Sequence, residues 1–467
     1  MKIECFGADY GFEMQALSLL FFPNTKFADD SDGRRLKITV SDGSVTAGYE
    51  ENGELKGTEI CRINRELYDA EKAACKRAAF TLFAGLTGIR PAWGLLTGIR
   101  PAVFYLKIRD MYGTDADRIM TEEYLVAPEK LELCKKVCKY RLPAVESACS
   151  EDVCLYISVP FCPSRCKYCS FVSCSTRREH GIIPEYLTCL SRELERKAAV
   201  IRERKQRLVA VYIGGGTPTV LTAEQLSSLL GDINGFFDLK DLREFTVEAG
   251  RPDTITDEKL DAMRQSGVDR ISVNPQTLDD EILRLVGRKH TAAQFFDVYA
   301  AAKARGFWIN VDLIAGLPTQ TADSFRDGLE KIISLKPENL TVHTLYIKRA
   351  ADYGLAHGAG LGNAAHAREV GKMLEYTSGM CADADLVPYY MYRQKNTVGN
   401  NENVGYAVEG KECLYNIWMM DDILTVYGCG AGAMTKIPEK TDNGTIIRRI
   451  SNTKFAYNYI KDGASDI

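Results

Sequence analysis

Three cysteines fall on one short segment, Cys162-Pro-Ser-Arg-Cys166-Lys-Tyr-Cys169. In this CxxxCxxC spacing each thiolate can take a different iron of a cubane, because Cys is the soft ligand that iron–sulfur clusters prefer. Three protein ligands leave a fourth iron open to a small molecule. The competing reading is structural zinc, which needs four protein ligands and usually takes them as two separated pairs. Cys174 would have to be the fourth ligand or Cys154 a fifth, and no Cys or His pair recurs downstream at zinc spacing. The spacing favours a 4Fe-4S cluster on Cys162, Cys166 and Cys169, most strongly when joined to a second motif.

That second motif is Gly214-Gly215-Gly216-Thr217-Pro218, directly after the β-branched run Val209-Ala-Val-Tyr-Ile213. Glycines after a strand let a backbone edge approach a ligand without side-chain interference, and its free amides and carbonyls can bond an amino-acid head group. An open iron can bind the amino and carboxylate groups of S-adenosylmethionine (SAM) and pass an electron to its sulfonium, releasing a 5′-deoxyadenosyl radical. Glu248, Gln276, Arg288 and Asp312 follow at or near further strand ends. Carboxylates there can accept from ribose hydroxyls, whereas Gln and Arg can bond a carboxylate or an adenine edge. Singly each reads as a surface or salt-bridge residue, so their weight is collective.

Something must hold these positions on one face. Between about 152 and 350 short β-branched runs alternate with helical stretches: Cys154–Val159, Leu208–Ile213, Glu244–Ala249, Asp269–Asn274, Trp308–Ile314 and Leu340–Leu345. Six βα units in sequence predict a parallel sheet with right-handed crossovers, curled into a partial (β/α)6 TIM-type barrel whose chemistry gathers at the strand C-terminal ends. Around it, residues 1–150 read as a small α+β extension, with a hairpin over 36–49 and a helix over 63–86. Residues 351–467 read as a separate C-terminal cap, with a Gly/Ala-rich stretch at 354–367, a helix over 369–381 and the tight segment Gly428-Cys-Gly-Ala-Gly-Ala433. The domains expected are therefore 1–150, 151–350 and 351–467.

A local duplication, Leu86-Thr-Gly-Ile-Arg-Pro-Ala92 and Leu96-Thr-Gly-Ile-Arg-Pro-Ala102, is too brief for a solenoid. It reads first as a structural connector, although Arg90 and Arg100 could clamp an acidic group. At 45% hydrophobic and 26% charged, with net charge -4, the composition is that of a globular protein and gives no support to nucleic-acid binding. No run is apolar enough for an export signal or a membrane span, so a cytoplasmic location is expected. Fifteen cysteines in a long chain of this kind read as mostly free thiols, Cys134 and Cys138 among them as small buried hydrophobes.

Taken together, Tyr156-Ile-Ser-Val-Pro-Phe-Cys162, the CxxxCxxC, GGGTP, Val247-Glu248, Asn274-Pro-Gln276-Thr, Val311-Asp-Leu-Ile-Ala-Gly-Leu-Pro-Thr-Gln-Thr321 and the late Gly-Ala-Gly-Ala resemble the oxygen-independent coproporphyrinogen III oxidase (dehydrogenase) family of radical SAM enzymes. The TGIRPA turn and the stretch 389–407 are similar to its HemZ-type bacterial branch. The resemblance implies Cys162, Cys166 and Cys169 as cluster ligands, and Tyr156, Gly215 and Glu248 as holders of SAM. Tyr168, Gly216, Thr217, Gln276, Arg288 and Asp312 would line the rest of that region. It also implies oxidative decarboxylation of two propionates of a porphyrinogen to vinyl groups, with an external electron donor and acceptor. Arg393 and Lys395 are candidates to meet the substrate's carboxylates. Ser158 and Phe171 stand where the characterised oxidases carry His and Cys, a pattern similar to the related haem chaperones, which supplies the alternative reading. In those chaperones a His-Asn pair usually stands where this chain has Tyr415-Asn416.

Overall fold

The computed structural model describes the whole chain except residues 24, 28–31, 99, 170–173, 176–179, 347–362, 395–396, 442–443 and 464–467. Phe171, Lys395 and residues 354–362 of the Gly/Ala-rich stretch lie outside the described residues.

The first part of the chain builds a four-stranded sheet in the order β1 (Lys2–Phe6), β2 (Arg34–Ser41), β3 (Ser44–Glu51), β4 (Glu54–Arg62). Helices Gly11–Phe21 and Ala70–Thr87 pack on it, and Phe21, Phe22, Tyr49, Phe80 and Phe83 interlock ring to ring between them. The helix foreseen from Ile63 begins only at Ala70, because residues 63–69 form turns whose Leu67 is still buried.

The six strands read from the sequence are all present as β5 (Asp152–Val159), β6 (Arg207–Gly215), β7 (Glu244–Gly250), β8 (Arg270–Val273), β9 (Trp308–Ala315) and β10 (Asn339–Thr344). They pair in parallel and in sequence order. Strands buried on both faces need near-continuous apolar runs, and Val209-Ala-Val is one. The helices that follow β6, β8 and β9 start at capping boxes on Thr222, Thr291 and Thr321, so each crossover has a fixed entry.

The C-terminal strands join this same sheet. β11 (Leu386–Arg393) and β12 (Glu402–Val408) add antiparallel pairings beyond β10, while β13 (Thr425–Cys429) lies parallel to β5 and is followed by β14 (Met434–Thr441) and β15 (Gly444–Ser451). The result is one eleven-stranded sheet, ordered β11-β12-β10-β9-β8-β7-β6-β5-β13-β14-β15, whose two end strands are not paired with each other among the described residues. Residues after 351, expected as a cap, thus widen the barrel wall on both edges.

The Gly428–Ala433 segment owes its glycines to close approach. A Cβ on Gly430, whose φ is +90°, would stand 2.6 Å from both the Ser158 carbonyl oxygen and the Tyr186 hydroxyl. Buried Glu193 holds the segment down by accepting from the Gly430 amide at 2.7 Å, Asn452 at 2.8 Å and Tyr459 at 2.6 Å. Among the described residues no helix is long and apolar enough to cross a membrane.

Candidate radical SAM site

The helix Leu414–Met420 plugs the N-terminal end of the sheet. Its first turn is fixed by Glu244 at the start of β7, which accepts from the Leu414 amide at 2.7 Å and the Cys413 thiol at 3.1 Å. Trp418, fully buried, donates to the Ala144 carbonyl at 2.9 Å. Tyr415 is thereby brought onto Tyr212 of β6 with ring centroids 4.4 Å apart, and Tyr156 of β5 stacks 6.3 Å from each. These three rings form an aromatic floor.

Above it stands Glu248 of β7, which accepts from the Tyr212 hydroxyl at 2.7 Å. Burial pushes the Glu248 carboxyl up to about 7, the Tyr212 bond opposes that rise, and the Asp312 charge adds to it. Its room depends on glycine: a Cβ at Gly214 would lie 2.9 Å from the carboxyl group. Gly216 is tighter, because its Cβ would meet the Phe161 carbonyl oxygen at 2.4 Å, and Gly215 holds φ +107° beside Ser158. The triple-glycine turn is therefore required by contact with the exit of β5, where the Thr217 amide also donates to the Phe161 carbonyl at 2.7 Å.

The cysteine loop leaves β5 at that point. Cys162 Sγ lies 3.5 Å from Thr217 Oγ1, and the Cys169 amide donates to the Cys166 carbonyl at 3.1 Å. The loop is tied to the turn after Leu285 by Lys167 N to Val286 O at 3.0 Å and Ser164 Oγ to Gly287 O at 3.3 Å. Arg251, just beyond β7, donates to Cys166 Sγ at 2.7 Å and to Ser164 Oγ at 3.0 Å. Arg288 donates to the Tyr168 hydroxyl at 3.0 Å and the Asn274 carbonyl at 2.9 Å. Burial by itself would raise the Cys166 thiol, but the Arg288 and Arg251 cations outweigh it and the thiol ends below its usual value. Tyr168 moves the other way, raised chiefly by burial.

Asp312 of β9 completes the ring of strand ends. It accepts from Asn274 at 2.8 Å and Asn310 at 2.7 Å, and His343 of β10 lies 3.7 Å away with its other nitrogen 3.3 Å from the Tyr392 hydroxyl. Gln276, at φ +69°, pairs its backbone with β9, while its buried side-chain oxygen accepts no hydrogen bond among the described residues.

Nine of the twelve residues singled out for the site thus sit at or just beyond the C-terminal ends of their strands, while Tyr156 and Asp312 lie within β5 and β9 and Arg288 follows the helix after β8. Among the described residues no three His, Cys, Asp or Glu side chains are gathered into the shell of a single metal ion. A cubane does not require one, since each thiolate binds its own iron. The residues fit a cluster and SAM on two counts: a thiol held towards its thiolate form, and a buried acceptor on Gln276 with no hydrogen bond among the described residues.

Sequence reading missed Arg251, Tyr212 and His343. The signal for Arg251 was its place directly after the strand end Glu248-Ala-Gly250, whereas the other two are single polar residues in apolar strands. Arg393, a candidate for substrate carboxylates, is placed elsewhere. It is 2% exposed, donates to the carbonyls of Leu96 and Asn400 and lies 5.4 Å over the Trp93 ring, so its donors are taken by backbone carbonyls. Arg100 likewise bonds Asp422 at 2.8 Å and the Met420 carbonyl at 3.1 Å, as a connector would.

Comparison with known proteins agrees with this geometry. Residues 156–332 match the Radical SAM superfamily model. HemZ of Bacillus subtilis (strain 168), an oxygen-independent coproporphyrinogen-III oxidase-like protein, is 37% identical over 88% of this chain and 84% of its own. The heme chaperone HemW of Lactococcus lactis is 32% identical over 60% of this chain and 68% of the chaperone. In fold, the chain is similar to Escherichia coli coproporphyrinogen III oxidase HemN, a radical SAM enzyme, with TM-score 0.51 and 23% identity over 69% of this chain and 71% of that one. A family of this kind works with a 4Fe-4S cluster and SAM. The chain belongs to the radical SAM superfamily, within the oxygen-independent coproporphyrinogen III oxidase-like family and its HemZ-type branch.

Proposed function

We propose that the protein catalyses oxidative decarboxylation of coproporphyrinogen III propionates to vinyl groups, giving protoporphyrinogen IX in the cytoplasm. The observation that carries the substrate is the extent of likeness to HemZ: it spans 88% of the chain, far beyond the 156–332 core that many radical SAM proteins share. Cluster and SAM, when bound, supply a carbon radical able to remove a hydrogen atom.

The chain's own groups do the rest. Cys162, Cys166 and Cys169 would hold the cluster, with Arg251 and Arg288 favouring the Cys166 thiolate and Arg288 anchoring Tyr168. The Gly215–Thr217 edge and the Gln276 oxygen would meet the amino-acid end of SAM, and Tyr156 and Glu248 its nucleoside. Asp312 would line the remaining wall. A propionate that loses a hydrogen atom, then carbon dioxide and one electron, becomes a vinyl group, so an external acceptor must take that electron and an external donor must reduce the cluster.

Glu248 makes this testable by pH. The ionised carboxylate is the stronger acceptor for ribose hydroxyls, and burial keeps Glu248 protonated up to about 7. SAM affinity should therefore rise with pH, roughly tenfold from pH 6 to pH 8 for one group ionising near 7. Calorimetric titration of the reconstituted protein should show that rise in wild type and a flat, weaker profile in Glu248→Gln. An equal slope in the variant would remove Glu248 from the role.

A haem chaperone is the second reading, favoured by the likeness to HemW. Burial raises the Tyr415 phenol well above its usual value, so it stays a neutral stacking ring and a poor anionic iron ligand, which supports the decarboxylase. Anaerobic turnover with SAM, a reductant and coproporphyrinogen III decides between them. Protoporphyrin should accumulate together with 5′-deoxyadenosine. SAM cleavage without it, accompanied by stoichiometric haem binding, would overturn the decarboxylase.

A further inference from the structure

The TGIRPA duplication has more in its second copy than a connector needs. A cavity of about 160 Å³ opens between the helix Ala70–Thr87 and the start of the helix Pro101–Tyr112, lined by Asp69, Lys72, Lys76, Thr97, Arg100 and Tyr124 among others. Lys72 is neutralised there by Asp69 at 2.7 Å, and Arg100 by Asp422 at 2.8 Å. Lys76 has no such carboxylate in ion-pair contact among the described residues: its ammonium donates to Thr97 Oγ1 at 3.1 Å, and burial, with Lys72 adding and the Asp69 and Glu13 charges opposing, pulls it down to about 8. The Tyr124 hydroxyl, on a residue 4% exposed, faces Asp69 without a hydrogen bond of ordinary geometry. The helix Pro101–Tyr112 also begins at this wall with no side chain capping its first amides. With Lys72 and Arg100 each paired to a carboxylate and Lys76 in hydrogen-bond contact only with a hydroxyl, the lining keeps one ammonium free to meet an anion that enters the space.

We propose that the cavity under the second TGIRPA turn is a binding site for the phosphate or carboxylate group of a small molecule, held by Lys76 with Thr97 and Tyr124. The volume suits such a group, since a water's share of liquid is about 30 Å³. The site is separate from Glu248 and the cysteine loop, and it stands whether the barrel makes vinyl groups or carries haem. Leu96, which also lines the cavity, has its carbonyl bonded by Arg393 at the end of β11, so the second turn is fixed to the sheet edge.

The test uses the full-length protein and two probes, inorganic phosphate for one source and succinate for the other. An amine-acylating reagent at pH 8, followed by peptide mass spectrometry, reads Lys76 against exposed Lys136. For a Kd of ~1 mM, about 10 mM anion fills ~90% of sites and should slow Lys76 acylation about tenfold while sparing Lys136. Protection by phosphate assigns a phosphate ligand; protection by succinate assigns a carboxylate. Calorimetry should then show binding at least about tenfold weaker in Lys76→Met and within about threefold of wild type in Lys76→Arg. No protection by either anion overturns the proposal from the wild-type protein alone, and so does binding that survives Lys76→Met.

Discussion

Replacing Cys166 with alanine is expected to abolish cluster assembly and SAM cleavage together. Cys166 is the most enclosed of the three loop thiols, 8% exposed, and the one that Arg251 and Arg288 hold towards its thiolate. Removing it leaves two thiolates on a cluster that already lacks a fourth protein ligand, and the loop offers no replacement. Cys154 lies fully buried in the barrel core, where burial raises its thiol well above its usual value. Cys174 is engaged in the short pairing of Phe161–Cys162 with Cys174–Ser175. A zinc site drawing its fourth ligand from Cys154 would need that core taken apart, whereas the backbone pairing of Cys174 leaves the metal content to decide against zinc. The variant should still fold, since a small side chain replaces another, and should retain less than about a tenth of the wild-type iron and sulfide after anaerobic reconstitution. Its 5′-deoxyadenosine formation should fall by about a hundredfold or more. A variant that stays brown and still cleaves SAM would remove the cluster assignment, and zinc recovered in place of iron from wild type would do the same.

The parts legible in the sequence were those whose signal is local. Six strands announced themselves as β-branched runs ending in a residue that does not belong to a core, such as Glu248 after Phe245-Thr-Val, and the glycine triplet marked a backbone contact that the structure places against Phe161. Contacts made across long separations left no such trace. Thr425–Cys429 is a five-residue run with two small members, and nothing in it says that it pairs with β5, some 270 residues earlier in the chain. Arg393 shows the same limit: an arginine in an aromatic strand reads as a ligand for an anion, yet its donors are taken by carbonyls of Leu96 and Asn400 that only folding brings near. His343 and Tyr212 were opaque because one polar residue in an apolar strand looks the same whether it faces a cavity or a partner.

Removing the Glu402 side chain should loosen the whole N-terminal extension. Glu402 opens β12, is 2% exposed, and accepts from Lys130 at 2.6 Å and from Trp93 at 2.7 Å, the latter lying between the two TGIRPA copies. Burial would raise its carboxyl, but Lys130 and Trp93 outweigh that and hold it below its usual value. A carboxyl depressed in the folded state stabilises the protein above its unfolded value, and that contribution disappears as pH falls through the folded one. The residue's backbone also reaches the barrel, where its carbonyl accepts from the Thr344 hydroxyl of β10 at 2.7 Å. Glu402→Ala would leave the Lys130 ammonium, 15% exposed, and the Trp93 N–H without partners. Breaking a buried pair from one side costs about 3–5 kcal/mol, so the urea midpoint followed by tryptophan fluorescence should drop by a comparable free energy at pH 7. The gap between variant and wild type should narrow in acid, as wild type loses the same charge. Glu402→Gln, which keeps an acceptor for Trp93 but not the charge, should fall between the two. A loss below about 1 kcal/mol in Glu402→Ala would mean that the extension is held by its apolar contacts instead, because an ordinary surface substitution changes stability by less than that.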